Sequence, residues 1–410
     1  MVDAYVPADR GKPPDEAGLR HKLESSFAGV ASKRVVVAIG DAGRRSYAAI
    51  GGGDAADAAE RYAAPTGCVT KLFVAALVAD EIVRGTFGCD DKASVLLGAR
   101  HARVLAGVTI RHLLEHTHGL DDSVIGAVPT RADGFIDTET LLARLGAHRF
   151  AEPGALYSYS HVGAWLLAAV LERVHGRPFE LLLRERVLDA LRLRELRSES
   201  WVVPGRRICP STGGALALSV RDLLTFLEAR AALWRPESVT PLPGWSALEK
   251  GVCLGWKYHG EGWFGHQSIA PCSLMVRIEP RRSIALVVAS EHHPAPVVAA
   301  KLFAGLLPEF RRLALPRRLS PRQAAVLDLN AYCARYGCAA ERWTVSIDDD
   351  VRALRLSTAS FTTRLEPAEN DLFFAQVSVP GRLAHVQFVE RTASSFRYLW
   401  DGRRVLRRCS

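Results

Sequence analysis

Apolar side chains recur at helical spacing through Leu19, Leu23, Phe27 and Val30, so residues 15–32 are expected to form an amphipathic helix. Two apolar runs, 35–39 and 46–50, then flank Gly40-Asp41-Ala42-Gly43, the pattern of a β-hairpin with turn residues at its centre. An alanine-rich stretch from Asp54 to Ala64 leads into the unbroken apolar segment 72–78, a helix that should end near Gly85. Residues 93–120 read as helix and then loop. Further helices are expected over 162–174, closed by Gly176, over 178–191, and over 220–232 behind the N-cap Ser219. Strand patterns return at 254–258, 262–266, 272–278 and 283–290, the last two joined at Glu279-Pro280-Arg281-Arg282, and a helix is expected over 296–307. Hairpins at both ends with helices between them imply an α+β domain. One antiparallel sheet closed by both ends of the domain is flanked by helices and carries an all-helical insertion.

Beyond residue 312 the pattern changes. Pro316, Pro321 and several arginines mark residues 313–325 as a linker between a first domain over 1–312 and a second over 326–410. In the second, short alternating segments at 343–347, 353–356, 372–375, 385–388 and 396–399 are separated by turns, as in a small all-β barrel or sandwich. A chain of 410 residues fits this division, since domains average roughly 150 residues.

Composition changes the picture little. With 48% hydrophobic and 24% charged residues the chain has no disorder signature. The net charge of +9 is carried mainly by arginine, concentrated locally only at Arg311-Arg312 and Arg317-Arg318. Basic residues are not interleaved with aromatics, so no nucleic-acid partner is expected. Residues 1–33 contain no apolar run long enough for a signal-peptide core or a membrane span, which points to a cytoplasmic protein without membrane attachment. The eight cysteines are scattered and should be free thiols, Cys333 and Cys338 being the pair close enough to bridge or to hold a metal.

The chemistry begins at Pro65-Thr66-Gly67-Cys68-Val69-Thr70-Lys71. A lysine three positions after a cysteine at the start of a helix can reach the sulfur, and the helix N-terminus adds positive charge there; both favour thiolate. The alternative is a buried structural cysteine at a helix start. His112 and His116 are four apart, with His118 beyond them, as metal ligands on one helix face would be. The glutamate that hydrolytic zinc helices carry directly after the first histidine is absent, and neither metal nor cofactor is expected.

The ordered set Cys68-x-x-Lys71, Tyr159-Ser160-His161 and Gly265-His266-Gln267-Ser268 resembles the serine β-lactamase and penicillin-binding-protein superfamily, specifically its class C β-lactamase-like branch. The resemblance spans residues 15–307, with family-like text also at 109–120, 153–174, 213–226 and 254–256. It implies a β-lactamase-like fold for the first domain; the C-terminal domain is similar to the small β domain often appended to such proteins. It implies Cys68 as the acyl-accepting nucleophile, Lys71 as the site's positive charge, and Tyr159 as base and then acid. The backbone amides of Cys68 and Ile269 would form the oxyanion hole, with His266, Gln267 and Ser268 contacting substrate. Three departures stand out: Cys68 replaces serine, His161 replaces asparagine and Ser268 replaces glycine.

A thioester is more prone to attack by amines, relative to water, than an oxygen ester is. The expected activity is therefore transfer of an acyl group from an ester or thioester donor through Cys68 to an amine acceptor, an ATP-independent amide synthesis in specialised metabolism such as antibiotic biosynthesis. The expected partners are a small-molecule acyl donor and a nucleophilic amine acceptor. Within that scheme His161 serves either as an extra base or as a hydrogen-bonding replacement for asparagine. Two other readings stay open: an esterase or amidase hydrolysing the same acyl-enzyme, and a non-catalytic relative that binds a small molecule in the old pocket.

Overall fold

The computed structural model describes residues 15–27, 34–51, 53–132, 135–146, 149–196, 208–211, 216–231, 239–241, 251–268, 273–290, 317–338, 341–376, 385–401 and 405–409. The elements of the first domain are, in chain order, α1 (Glu16–Phe27), β1 (Val35–Asp41), β2 (Arg44–Ile50), α2 (Ala55–Arg61), β3 (Ala63–Pro65), α3 (Thr70–Val83), α4 (Ala93–Leu97), α5 (Ile110–Leu114), α6 (Thr138–Leu145), α7 (Val162–His175), α8 (Phe179–Leu183), β4 (Ala217–Ser219) and α9 (Val220–Arg230). They continue with β5 (Thr240–Pro241), β6 (Gly251–Cys253), β7 (Trp256–Gly260), β8 (Trp263–Ser268), β9 (Ser273–Glu279) and β10 (Ile284–Ser290). Eight strands form one antiparallel sheet in the order β2-β1-β10-β9-β8-β7-β6-β5, so both ends of the domain meet at the β1–β10 pair.

The near-continuous apolar text of β1 and β10, and of β9 from Leu274 to Val276, has a physical reason: both faces of the sheet are covered. Val36 and Ala38 of β1, Leu274, Val276 and Ile278 of β9, and Ala285, Val287 and Ala289 of β10 face the main core with the helices. The alternate residues Val35, Val37, Ile39, Met275, Leu286 and Val288 face a second core closed by Leu19 and Leu23 of α1. The hairpin turn falls at Ala42-Gly43, with β1 running through Asp41. Ser219 caps α9 by accepting from the Asp222 amide, and Gly176 closes α7 in the left-handed region at φ 64°.

Over 93–120, expected as helix and then loop, the chain forms two short helices, α4 and α5, with turns between and after them. Gly98 at φ 112° and Gly107 at φ 71° break the repeat. The helix expected over 178–191 is α8 followed by a π turn over Arg184–Asp189. The expected helix over 296–307 and the end of the first helix beyond Phe27 lie outside the described residues.

The C-terminal segment is a closed antiparallel barrel of β11 (Ala334–Gly337), β12 (Arg342–Asp348), β13 (Ala353–Ser357), β14 (Thr362–Pro367), β15 (Leu372–Ala375), β16 (His385–Arg391), β17 (Phe396–Trp400) and β18 (Val405–Arg408). Pairing of β11 with β18 closes it. Tyr332, Tyr336, Phe373, Phe388 and Phe396 belong to one buried cluster, so this barrel has an aromatic core. Residues 317–325 lie against it: Arg318 bridges Ala368, the Leu319 amide donates to the Pro367 carbonyl at 2.9 Å, and Ser320 caps a short helix, Pro321–Ala325.

The barrel and the first domain share a core. Tyr398, Trp400 and Val405 form one buried cluster with Ala151, Leu156, Tyr157, Tyr159 and Val252, and Cys68 packs on it. The Val405 amide also donates to Ser158 Oγ at 3.1 Å. Among the described residues the cysteines form no disulfide, and Cys333 donates to the Leu329 carbonyl at 3.3 Å. Among the described residues no helix is long and apolar enough to cross a membrane.

Candidate active site

Cys68 lies in a 3-10 turn, Gly67–Val69, immediately before α3. Gly67 adopts φ 50°, which a glycine tolerates without strain. The turn is tied from both sides. The Thr66 amide and hydroxyl donate to the Leu216 carbonyl at 3.1 and 3.2 Å, and Thr66 Oγ1 lies 2.6 Å from Thr70 Oγ1. Pairing of Pro65 with Ala217 aligns β3 and β4 behind it, and the turn packs against β8 and β9. Cys68 itself is half-buried.

Lys71 follows on the first turn of α3, 4% exposed and directly ahead of the apolar run from Leu72 to Ala79. A buried ammonium needs hydrogen-bonding partners. Its Nζ donates to the Ser211 carbonyl at 2.6 Å and lies 3.3 Å from His161 Nδ1. It also sits 4.7 Å from the centre of the Tyr159 ring, on which a second ammonium, that of Lys257 on β7, lies at 5.6 Å. Among the described residues three imidazoles also lie around Tyr159: His116 at 4.7 Å, His161 at 5.7 Å and His266 at 5.9 Å between ring centres. The structure thus brings Lys71, Tyr159, His161 and His266 into one cluster, with Cys68 packed on the apolar group that includes Tyr159.

His266 is held by its strand. Its Nδ1 lies 2.9 Å from the Gln267 amide and 3.2 Å from the Gln267 carbonyl, and the closer amide contact favours the neutral form with its hydrogen on Nε2. That Nε2 is buried without a protein partner among the described residues. Burial, followed by the Lys257 and Lys71 charges, pushes this imidazole well below its ordinary value, so it is neutral at physiological pH. Beneath it, the Arg277 guanidinium crosses Gly265 to donate to the His266 and Val276 carbonyls at 3.2 and 2.8 Å. A Cβ at Gly265 would stand 2.5 Å from Arg277 Cδ, so this crossing requires glycine. Ser268 is buried at the end of β8 and Gln267 is half-buried. Ile269 lies outside the described residues.

The histidines at 112, 116 and 118 do not share a helix face, because α5 ends at Leu114 and His116 turns away at φ 57°. Each uses Nδ1 to accept a backbone amide instead: Thr109 at 3.2 Å, Ser160 at 3.1 Å and Leu120 at 3.0 Å respectively. Burial is the first cause lowering all three, with His118 brought to about 4. Among the described residues no cluster of His, Cys, Asp and Glu could hold a metal ion.

Three participants escape a reading of short motifs. His116 supports motif two through the Ser160 amide and the Tyr159 ring. Lys257 is a buried lysine on a strand between Trp256 and Tyr258, and that unusual placement is its only signal. Asp122 reaches motif two from a loop some forty positions upstream: Oδ1 accepts from the His161 amide, from the Val162 amide at 2.9 Å and from Ser160 Oγ at 2.8 Å. Burial opposes its charge, but His161, the Val162 amide, Ser160 and the His161 amide hold the carboxyl below its ordinary value.

Compared with known proteins, residues 20–307 match the family model described as "Beta-lactamase". This chain belongs to the β-lactamase family. A curated relative, the probable fimbrial assembly protein FimD (serogroup H1) of Dichelobacter nodosus, is 34% identical over 124 residues, which cover 29% of this chain and 30% of that protein. Among solved structures, SurE with D-Leu aligns with TM-score 0.71 and 24% identity over 96% of this chain and 99% of SurE. A D-stereospecific amidohydrolase from Streptomyces sp. aligns with TM-score 0.53 and 23% identity over 71% of this chain and 99% of its own. At these identities the likeness shows the fold. Within this β-lactamase family domain, the turn before α3, the start of α7 and strand β8 converge at one place, and each carries one of the three motifs.

Proposed function

We propose that this protein is an acyl-transfer enzyme whose nucleophile is the Cys68 thiol. The observation that carries the reading is the convergence of Lys71, His161 and His266 on Tyr159, next to the turn that holds Cys68. In the first half-reaction the Cys68 sulfur attacks the carbonyl carbon of an ester or thioester donor. Its proton passes to the Tyr159–His161 pair, and the departing alcohol or thiol takes a proton back from the same pair. In the second, an amine attacks the thioester carbon, loses its proton to that pair and expels the thiolate, which is reprotonated. Lys71 stabilises negative charge on the tyrosine and the sulfur. The His266 Nε2–H, neutral and buried, suits a substrate carbonyl better than a carboxylate.

The thioester favours amines over water, which supports amide formation in specialised metabolism, antibiotic biosynthesis included, with a small-molecule donor and acceptor in the cytoplasm. An activated donor makes the reaction balance without a cofactor. Hydrolysis of the same acyl-enzyme is the second reading, favoured by the half-buried position of Cys68, which water can reach. The test is intact-protein mass spectrometry after mixing with a panel of aryl esters, followed by candidate amines. A covalent acyl adduct lost in Cys68→Ala and converted to amide by an amine is expected. No adduct with any ester would sink the proposal, and free acid with every amine would replace it with the hydrolase.

A further inference from the structure

Motif two lies among two lysines and the imidazoles of His116 and His266, both held neutral, yet a carboxylate is bonded directly to its backbone. Asp122 Oδ1 gathers the amides of His161 and Val162, the first of α7, together with the Ser160 hydroxyl. A capping residue normally sits next to its helix in sequence. Here the cap is delivered from a separate loop, the 3-10 turn Asp122–Ala127, whose own start is fixed by Asp121 accepting from the Ser123 amide at 2.9 Å. The carboxylate therefore locks the Tyr159-Ser160-His161 turn to a separate element of the fold.

Its charge matters as well as its acceptor oxygen. His161 faces the Lys71 ammonium from α3 at 3.3 Å and the Tyr159 ring, which in turn faces His116, His266 and Lys257. The lysines oppose protonation of His161, and a carboxylate beside it favours protonation. We propose that Asp122 is a positioning residue for the reaction: it fixes motif two and sets the negative charge that lets His161 take and return the transferred proton. The proton involved leaves the attacking amine nitrogen for the imidazole as the carbon–nitrogen bond forms and the carbon–sulfur bond breaks, and returns to the thiolate. This rests on the acyl-transfer reading of the same site.

The experiment compares wild type with Asp122→Asn, which keeps an acceptor oxygen and removes the charge, and with Asp122→Ala, which removes both. His161 is followed by NMR of histidine-labelled protein and identified by the peak lost in His161→Gln. In Asp122→Asn its titration midpoint is expected to fall by about 0.5 pH unit or more. The acid limb of kcat/KM for a p-nitrophenyl ester should fall with it, while KM changes little. Asp122→Ala should lose roughly tenfold more of kcat than Asp122→Asn does. Midpoints agreeing within about 0.2 pH unit would overturn the proposal, since a purely structural cap leaves them unmoved. If Asp122→Asn does not fold, Asp122→Glu, which displaces the charge by one methylene, is read by the same midpoint and the same limit. Should no ester acylate wild-type Cys68, the proposed function fails, whereas the NMR comparison still decides whether Asp122 sets the charge of His161.

Discussion

Glu115 offers a test of how burial couples pH to this fold. It follows α5 directly, is 2% exposed, and lies with both carboxyl oxygens 2.9 Å from Thr240 Oγ1 on β5. Burial is the first cause raising its pKa; the Thr240 hydroxyl and Arg111 oppose it, and the result is a rise from 4.5 to about 7. The folded chain thus keeps a proton that the unfolded chain releases. The associated stability is fully present below the unfolded value, declines as pH rises, and is lost above about 7, amounting to about 3 kcal/mol over that window. The imidazoles of His112, His116, His118 and His266 slope the other way, because they are held neutral and cost stability as pH falls through the unfolded value. The informative quantity is therefore the difference from Glu115→Gln, which stays neutral at every pH. Urea unfolding at intervals from pH 5 to 8 should show wild type losing about 3 kcal/mol relative to the variant. Parallel curves would refute the account, and a difference growing toward acid would reverse its sign.

Four further outcomes are expected. Cys68→Ser should raise the ratio of hydrolysis to amide formation, read by chromatography of acid and amide from one ester, because an oxygen ester loses the thioester's preference for amines. His266→Gln keeps a neutral donor and should raise KM by roughly tenfold or less, with no new pH dependence between 6 and 8, measured by steady-state kinetics. Gly265→Ala should displace the Arg277 guanidinium and cost about 2 kcal/mol in chemical denaturation, since the added carbon meets a buried side chain. Trp400→Ala, at the shared core of barrel and first domain, should cost about 3–5 kcal/mol and also lower the rate of Cys68 acylation, because Tyr159 lies in the same cluster.

Much of the fold is legible in the chain because its signals are local. The apolar runs of β1, β9 and β10, the turn at Ala42-Gly43, the Ser219 cap and the Gly176 stop each depend on neighbours a few positions away. The barrel is different: alternation marks several strands, but closure depends on β11 meeting β18, some seventy positions later, and local pattern does not distinguish barrel from sandwich. The same holds at the site. Cys68, Lys71 and Tyr159 fall in short motifs, whereas Asp122 and His116 act across loops and Lys257 across a sheet. The four-residue spacing of His112 and His116 misleads because spacing predicts a shared face only while a helix continues, and α5 stops between them.

The bond from the Val405 amide to Ser158 also has a bearing on synthesis. On a ribosome, residues 158 and 159 emerge long before 405, so motif two waits for roughly 250 further residues before that donor exists. A chain cut short ahead of β18 would lack both the strand that closes the barrel and the amide that reaches motif two. The tie between barrel and motif two is thereby made last, only once translation has passed residue 405.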